Sequence, residues 1–84
     1  LDFNIFPNPA SENITVSWTE RIISPLEMTI YNSFGQVFFK ETRQANSSGI
    51  QSLDADISGF EQGTYVLQLK TGEKYGIKKL IVLP

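Results

Sequence analysis

Apolar residues in this chain recur at every second position, in short runs separated by turn-forming residues. In Asn13–Trp18, Ile14, Val16 and Trp18 point one way while Thr15 and Ser17 point the other. In Leu26–Tyr31, Leu26, Met28 and Ile30 share a face opposite Glu27, Thr29 and Tyr31. In Gln51–Ile57, Leu53, Ala55 and Ile57 oppose Ser52, Asp54 and Asp56, and in Thr64–Thr71, Tyr65, Leu67 and Leu69 oppose Gln68 and Lys70. A period of two is the mark of half-buried strands. Val37–Lys40 is also strand-like, but Phe38 and Phe39 are adjacent and leave its facing ambiguous. Lys74–Leu83 reads as the last strand, and its continuous apolar run Leu80–Leu83 fits a segment covered on both faces.

The turn signals between these runs are Pro7-Asn8-Pro9, Ser24-Pro25, Asn32–Gly35, Asn46–Gly49, Ser58-Gly59, Gln62-Gly63 and Thr71-Gly72. No run carries a helical stripe. Short alternating strands between regular turns predict an all-β sandwich or barrel, and two facing sheets around one core fit the pattern. Thr71-Gly72-Glu73 reads as the tip of a hairpin joining the last two strands. The polar stretch Thr42–Gly49 reads as an exposed loop. No repeat or internal boundary is visible, so residues 1–84 read as a single domain. The start at Leu1, without a signal-peptide pattern, reads as a domain excised from a longer chain.

Composition narrows the function. The 84 residues include no Cys and no His, which removes disulfides, Cys nucleophiles, ordinary zinc sites and every His-based triad. A net charge of −2 speaks against nucleic acid as a partner. No apolar run approaches the ~20 residues of a membrane helix, so membrane insertion is not expected. No cofactor fingerprint is present, and none is expected to bind. Binding, structure or addressing remain.

The candidate chemistry is sparse. Asp54 and Asp56 share a strand face and could present two carboxylates to a metal or sugar, though a solvated face explains them as well. Ser11 beside Glu12 lacks a base to activate it, and Gly59 and Gly63 lack the Lys-Ser/Thr ending of a phosphate loop. Trp18, Tyr31, Phe34, Phe38, Phe39, Phe60 and Tyr75 could supply a sugar-stacking platform. The phase of Trp18 assigns it to the core, and Phe38, Tyr31 or Tyr75 are better candidates for exposure. Asn13-Ile14-Thr15 and Asn46-Ser47-Ser48 match the N-glycosylation sequon. At the end of the chain Lys74, Lys78 and Lys79 precede Leu80-Ile81-Val82-Leu83. That order reads either as an ordinary last strand with gatekeeper lysines or as a basic patch and apolar strand that form an address.

Four segments, in order, resemble a known family. Phe6-Pro7-Asn8-Pro9-Ala10 followed by Asn13–Val16 is similar to the "YPNPxxxxLxI" opening of the type A C-terminal sorting domain of the type IX (Por) secretion system. Ile30–Val37, with Gly35, resembles its "xYDxxGxxV" hairpin. Asp56-Ile57-Ser58 through Gly63-Thr64-Tyr65 resembles its "DxSxLPxGxYxV" segment, and Lys78-Lys79 before Leu80, Ile81 and Val82 resembles its "KKxxV" terminus. Three positions depart from the pattern: Glu61 replaces the usual Pro, Asn32 the usual Asp, and Gln36 the usual Arg or Lys.

The resemblance implies an immunoglobulin-like β-sandwich of about seven antiparallel strands in two sheets. It implies a non-catalytic sorting signal at the C-terminus of a secreted cargo of a Bacteroidetes-type bacterium. The cargo would pass the periplasm and cross the outer membrane through the type IX translocon. A sortase-like protease would then remove the domain, leaving the cargo at the cell surface or outside the cell. Gly63, Tyr65, Lys78, Lys79, Leu80, Ile81 and Val82 are then expected to serve recognition by the secretion machinery, and Pro7, Asn8, Pro9, Gly35, Asp56 and Ser58 to be structural. The competing reading is a structural or carbohydrate-binding β-sandwich module of a secreted multidomain enzyme.

Overall fold

A computed structural model describes residues 1–22, 24–44 and 50–84. Seven strands succeed one another: β1 (Asn4–Phe6), β2 (Asn13–Ile22), β3 (Leu26–Asn32), β4 (Val37–Arg43), β5 (Ile50–Asp56), β6 (Gly63–Thr71) and β7 (Lys74–Val82). They form a three-stranded sheet in the order β1-β2-β5 and a four-stranded sheet in the order β4-β3-β6-β7. Every paired neighbour is antiparallel. The chain crosses between sheets after β2, β4 and β5 and makes hairpins at β3–β4 and β6–β7. This is the immunoglobulin-like arrangement, in the variant whose fourth strand lies beside β3 instead of beside β5.

The alternation builds the core as read from the sequence. Ile14, Val16 and Trp18 of β2, Leu26, Met28 and Ile30 of β3, and Leu53 and Ala55 of β5 are all buried. From β6, Tyr65, Leu67 and Leu69 join them, and Trp18 is only 5% exposed. At the β6–β7 tip Gly72 has φ +57° and opens a two-residue loop with Glu73, as a II′ hairpin turn requires.

Several expectations need correction. Strand β2 continues past Trp18 to Ile22, with its register against β5 broken between Ser17 and Ile22, so a buried Ile22 follows a stretch that does not alternate cleanly. Strand β4 runs through Arg43, so Thr42 and Arg43 belong to an edge strand, not to the expected loop; residues 45–49, with the sequon at Asn46, lie outside the described residues. The ambiguity at Phe38 and Phe39 is resolved by a bulge opposite Ile30 and Tyr31: Phe39 packs on the core, and Phe38 turns toward Phe60 and Tyr65. The run Leu80–Leu83 is not covered on both faces. Leu80 and Val82 are buried, Ile81 is half-buried and Leu83 is 49% exposed, because among the described residues nothing is layered on the outside of the four-stranded sheet.

The N-terminal residues contribute more than the turn signal at Pro7 suggested. Phe3 is buried and Ile5 packs against the core, while β1 adds a short edge to β2. Leu1 lies so close to β7 that a Cβ on Gly76 would collide with its carbonyl oxygen and touch the Phe3 ring. Glycine at position 76 is what admits this crossing.

Candidate functional site

The residues singled out by the sequence fall on strand β7, on the Pro7–Ala10 segment against it, at the β3–β4 turn and on the β5–β6 connection. Strand β7 is an edge of the four-stranded sheet, paired with β6 from Gly63↔Val82 to Thr71↔Lys74. Strand periodicity splits its lysines. Lys78 shares parity with the inward-facing Leu80 and Val82, and its ammonium sits 6.0 Å from the centroid of the Phe3 ring. Lys79 lies on the outer face with Ile77 and Ile81. Lys78 and Lys79 therefore straddle the strand instead of projecting from one face.

The edge itself is occupied. In an antiparallel pair, alternate residues turn both backbone groups away from the partner strand. On β7 these groups belong to Tyr75, Ile77, Lys79 and Ile81, and just beyond it to Leu83. The Asn8 carboxamide donates to the Lys79 carbonyl at 2.9 Å and accepts from the Ile81 N–H at 3.0 Å. Ala10 donates to the Ile81 carbonyl at 2.9 Å and accepts from the Leu83 N–H at 2.8 Å, forming a parallel bridge with Val82. At the other end Leu1 donates to the Tyr75 carbonyl at 3.1 Å. The Pro7-Asn8-Pro9 motif thus stands in for a neighbouring strand.

The two turns are held by side chains. The Asn32 Oδ1 accepts the N–H groups of Phe34 and Gln36, each at 2.9 Å, and Gly35 follows with φ +85°. Asn32 Nδ2 donates to Gln36 Oε1 at 2.8 Å. The departures at Asn32 and Gln36 are therefore coupled: a neutral amide pair stands where the usual Asp and Arg or Lys carry opposite charges. On the β5–β6 connection Asp56 Oδ1 accepts the Ser58 N–H at 2.9 Å, and this bond holds the Asp56 carboxyl below its ordinary range. Tyr65 donates its hydroxyl to the Glu61 carbonyl at 2.7 Å, the corner contact that immunoglobulin-like sandwiches make at the start of this strand. Tyr65, Leu80 and Val82 are buried, so in the folded chain only Gly63, Lys78, Lys79 and, in part, Ile81 offer themselves to a partner.

Other candidate chemistry disperses. Asp54 and Asp56 share the outer face of β5 as read, but Asp54 accepts the Thr15 hydroxyl at 2.8 Å and Asp56 is engaged by Ser58. No group of three acidic side chains able to hold a metal occurs among the described residues. Phe38, Phe60 and Tyr65 cluster, but their planes are inclined by 48° to 76°, so these three rings make no flat platform. Phe34, at the β3–β4 turn, is 88% exposed. The contact that sequence reasoning missed is the one between Asn8 and β7.

Comparison with known proteins identifies the family. The profile of the secretion-system C-terminal sorting domain family matches residues 4–83. The chain is 35% identical over 83 residues to an endo-acting ulvan lyase of Formosa agariphila, a match that covers 96% of this chain and 15% of that lyase. The turn glycines, the braced Asx turns and the lysine-bearing last strand thus belong to a chain that is a member of the C-terminal sorting domain family of the type IX (Por) secretion system.

Proposed function

We propose that the 84 residues are the C-terminal address of a larger secreted protein, without catalysis of their own. The type IX translocon reads the folded sandwich in the periplasm and carries the cargo across the outer membrane. A sortase-like protease then removes the domain, and the cargo remains at the cell surface or leaves the cell. Family membership supports the sorting role. The 15% coverage of the ulvan lyase fits a tail joined to a much larger cargo, for which a secreted enzyme is the natural proposal.

The observation that carries the reading is β7: an edge strand at the end of the domain, with Lys79 projecting from its outer face and Lys78 from its inner side. An edge strand is where main-chain pairing gives affinity and flanking side chains give selectivity. We assign the receptor contacts to the β7 edge, Lys78, Lys79, Ile81 and the adjoining Gly63.

The test is secretion of a periplasmic reporter carrying this domain in a host that possesses the system. The fusion is expected in the medium, and the reporter alone in the periplasm. Lys79→Glu is expected to hold the fusion in the periplasm while the purified domain keeps its melting temperature. Export of the reporter without the domain would overturn the sorting role, and undiminished export of Lys79→Glu would remove Lys79 from the contact.

A further inference from the structure

The β7 edge, as it stands, is closed where the proposed address is richest. Four hydrogen bonds, two from the Asn8 side chain and two from the Ala10 backbone, satisfy the Lys79 carbonyl, both outward groups of Ile81 and the Leu83 N–H. Their spacing is that of a parallel strand, so an arriving strand would need the same groups. Ile77, between this contact and the Leu1 contact at Tyr75, has no partner on that edge among the described residues. Ile77 and the Lys79 N–H between the two contacts make too short a ladder for strand addition.

We infer that Asn8–Ala10 is a releasable strap, and that an extended segment of the transport machinery pairs with Lys79–Leu83 only after the strap has left. The inference rests on the sorting role proposed above. Asparagine suits a strap because one amide supplies both a donor and an acceptor, imitating a peptide group without committing a strand. The strap's own hold is slight. It connects to β1, an edge of three residues that pairs with β2 alone, and the Asn8 bonds are exposed to solvent. Segments of this kind open below the free energy of global unfolding. The strap also gives an unoccupied edge strand cover against unwanted pairing.

Two measurements decide it. In native-state hydrogen exchange on this chain, the Ile81 and Leu83 amides should open independently of the β6 amides of Leu67 and Leu69. Asn8→Ala should speed Ile81 and Leu83 by about tenfold or more and leave Leu67 and Leu69 unchanged, as a local opening requires. If all four amides exchange together in both proteins, the strap opens only when the fold does, and the inference falls.

The second measurement closes the strap covalently. Ala10 and Val82 are bridge partners, both buried, in a chain with no other cysteine, so Ala10→Cys with Val82→Cys is placed to form a disulfide there. In the reporter fusion, retention of the oxidised double variant with recovery on adding reductant supports the strap. Export of the oxidised form alongside the wild type overturns it and leaves the sorting role standing. Failure of the wild-type fusion to leave the cell counts against the sorting role instead, and hydrogen exchange then judges the strap by itself.

Discussion

At the scale of single residues the fold rests on alternate apolar side chains, and the sequence showed them because one face of each strand meets the core and the other meets water. Leu67 and Ile30 sit opposite each other at the middle of the four-stranded sheet, both fully buried. Leu67→Ala or Ile30→Ala should each destabilise the domain by about 2–5 kcal/mol, read as a lowered midpoint in urea unfolding. An unshifted midpoint would remove that side chain from the core. Surface charges act more weakly. Lys74 donates to Glu20 at 2.6 Å, joining the β6–β7 tip to β2, and this hydrogen bond draws the Glu20 carboxyl below its ordinary range. A depressed carboxylate stabilises the folded state above its unfolded pKa, and that contribution fades as pH falls through the folded one. Lys74→Gln should return Glu20 toward the ordinary carboxylate range in an NMR titration and flatten that part of the acid limb. The coupled amides Asn32 and Gln36 are a residue-scale feature that the sequence displayed only as two separate departures. Their bond closes the five-residue segment Asn32–Gln36, and only the coordinates bring the two side chains to 2.8 Å.

At the scale of elements, what was legible and what was not divides by sequence separation. Strands β3, β5 and β6, and β2 as far as Trp18, could be read because alternation is a local signal; β4 showed only as strand-like, its bulge hiding which face Phe38 and Phe39 take. Strand β1 could not, since three residues carry no period and its pairing is imposed by β2. The division of Lys78 from Lys79 across β7 was available in the same alternation but was masked by the apolar run that follows them. The Asn8 contact was invisible in principle, because its partner lies 71 residues away and nothing local marks a carboxamide as a strand mimic. Gly76 links these elements. It lets Leu1 cross β7 with Phe3 packed beneath, so Gly76→Ala must push the N-terminal residues off the sheet. The expected loss is about 1–3 kcal/mol from overpacking, with Phe3 and Lys78 resonances shifted in NMR spectra. Unperturbed spectra would show that the segment does not need that close approach. The corner at Tyr65 is a second joint. Tyr65→Phe keeps the ring against Phe38 and Phe60 and leaves the Glu61 carbonyl without its donor, for an expected loss of about 0.5–1.5 kcal/mol by thermal melt.

At the scale of the molecule, the fold and the proposed address share the same strand, and this decides how the address can be tested. Deleting Lys78–Pro84 looks like the direct way to remove the terminal motif. It would also remove Leu80 and Val82 from the core, with the partners of β6 from Gly63 to Leu67. The strap would lose Lys79, Ile81 and Leu83 as well. A domain of this size holds only about 5 kcal/mol in reserve, while losing one buried Leu can cost about 2–5 kcal/mol. The truncated chain is therefore expected to be unfolded without denaturant. Trp18, the only tryptophan and 5% exposed, reports this directly: its emission should already lie at the wavelength of the unfolded wild type, with no cooperative change on heating. A cooperative melt in the truncated chain would show that β7 is dispensable for folding and would make the deletion a clean test of the address. Without it, lost secretion after truncation reports the fold and the address together. Substitutions at Lys79, whose side chain leaves the sheet on the outer face, separate the two.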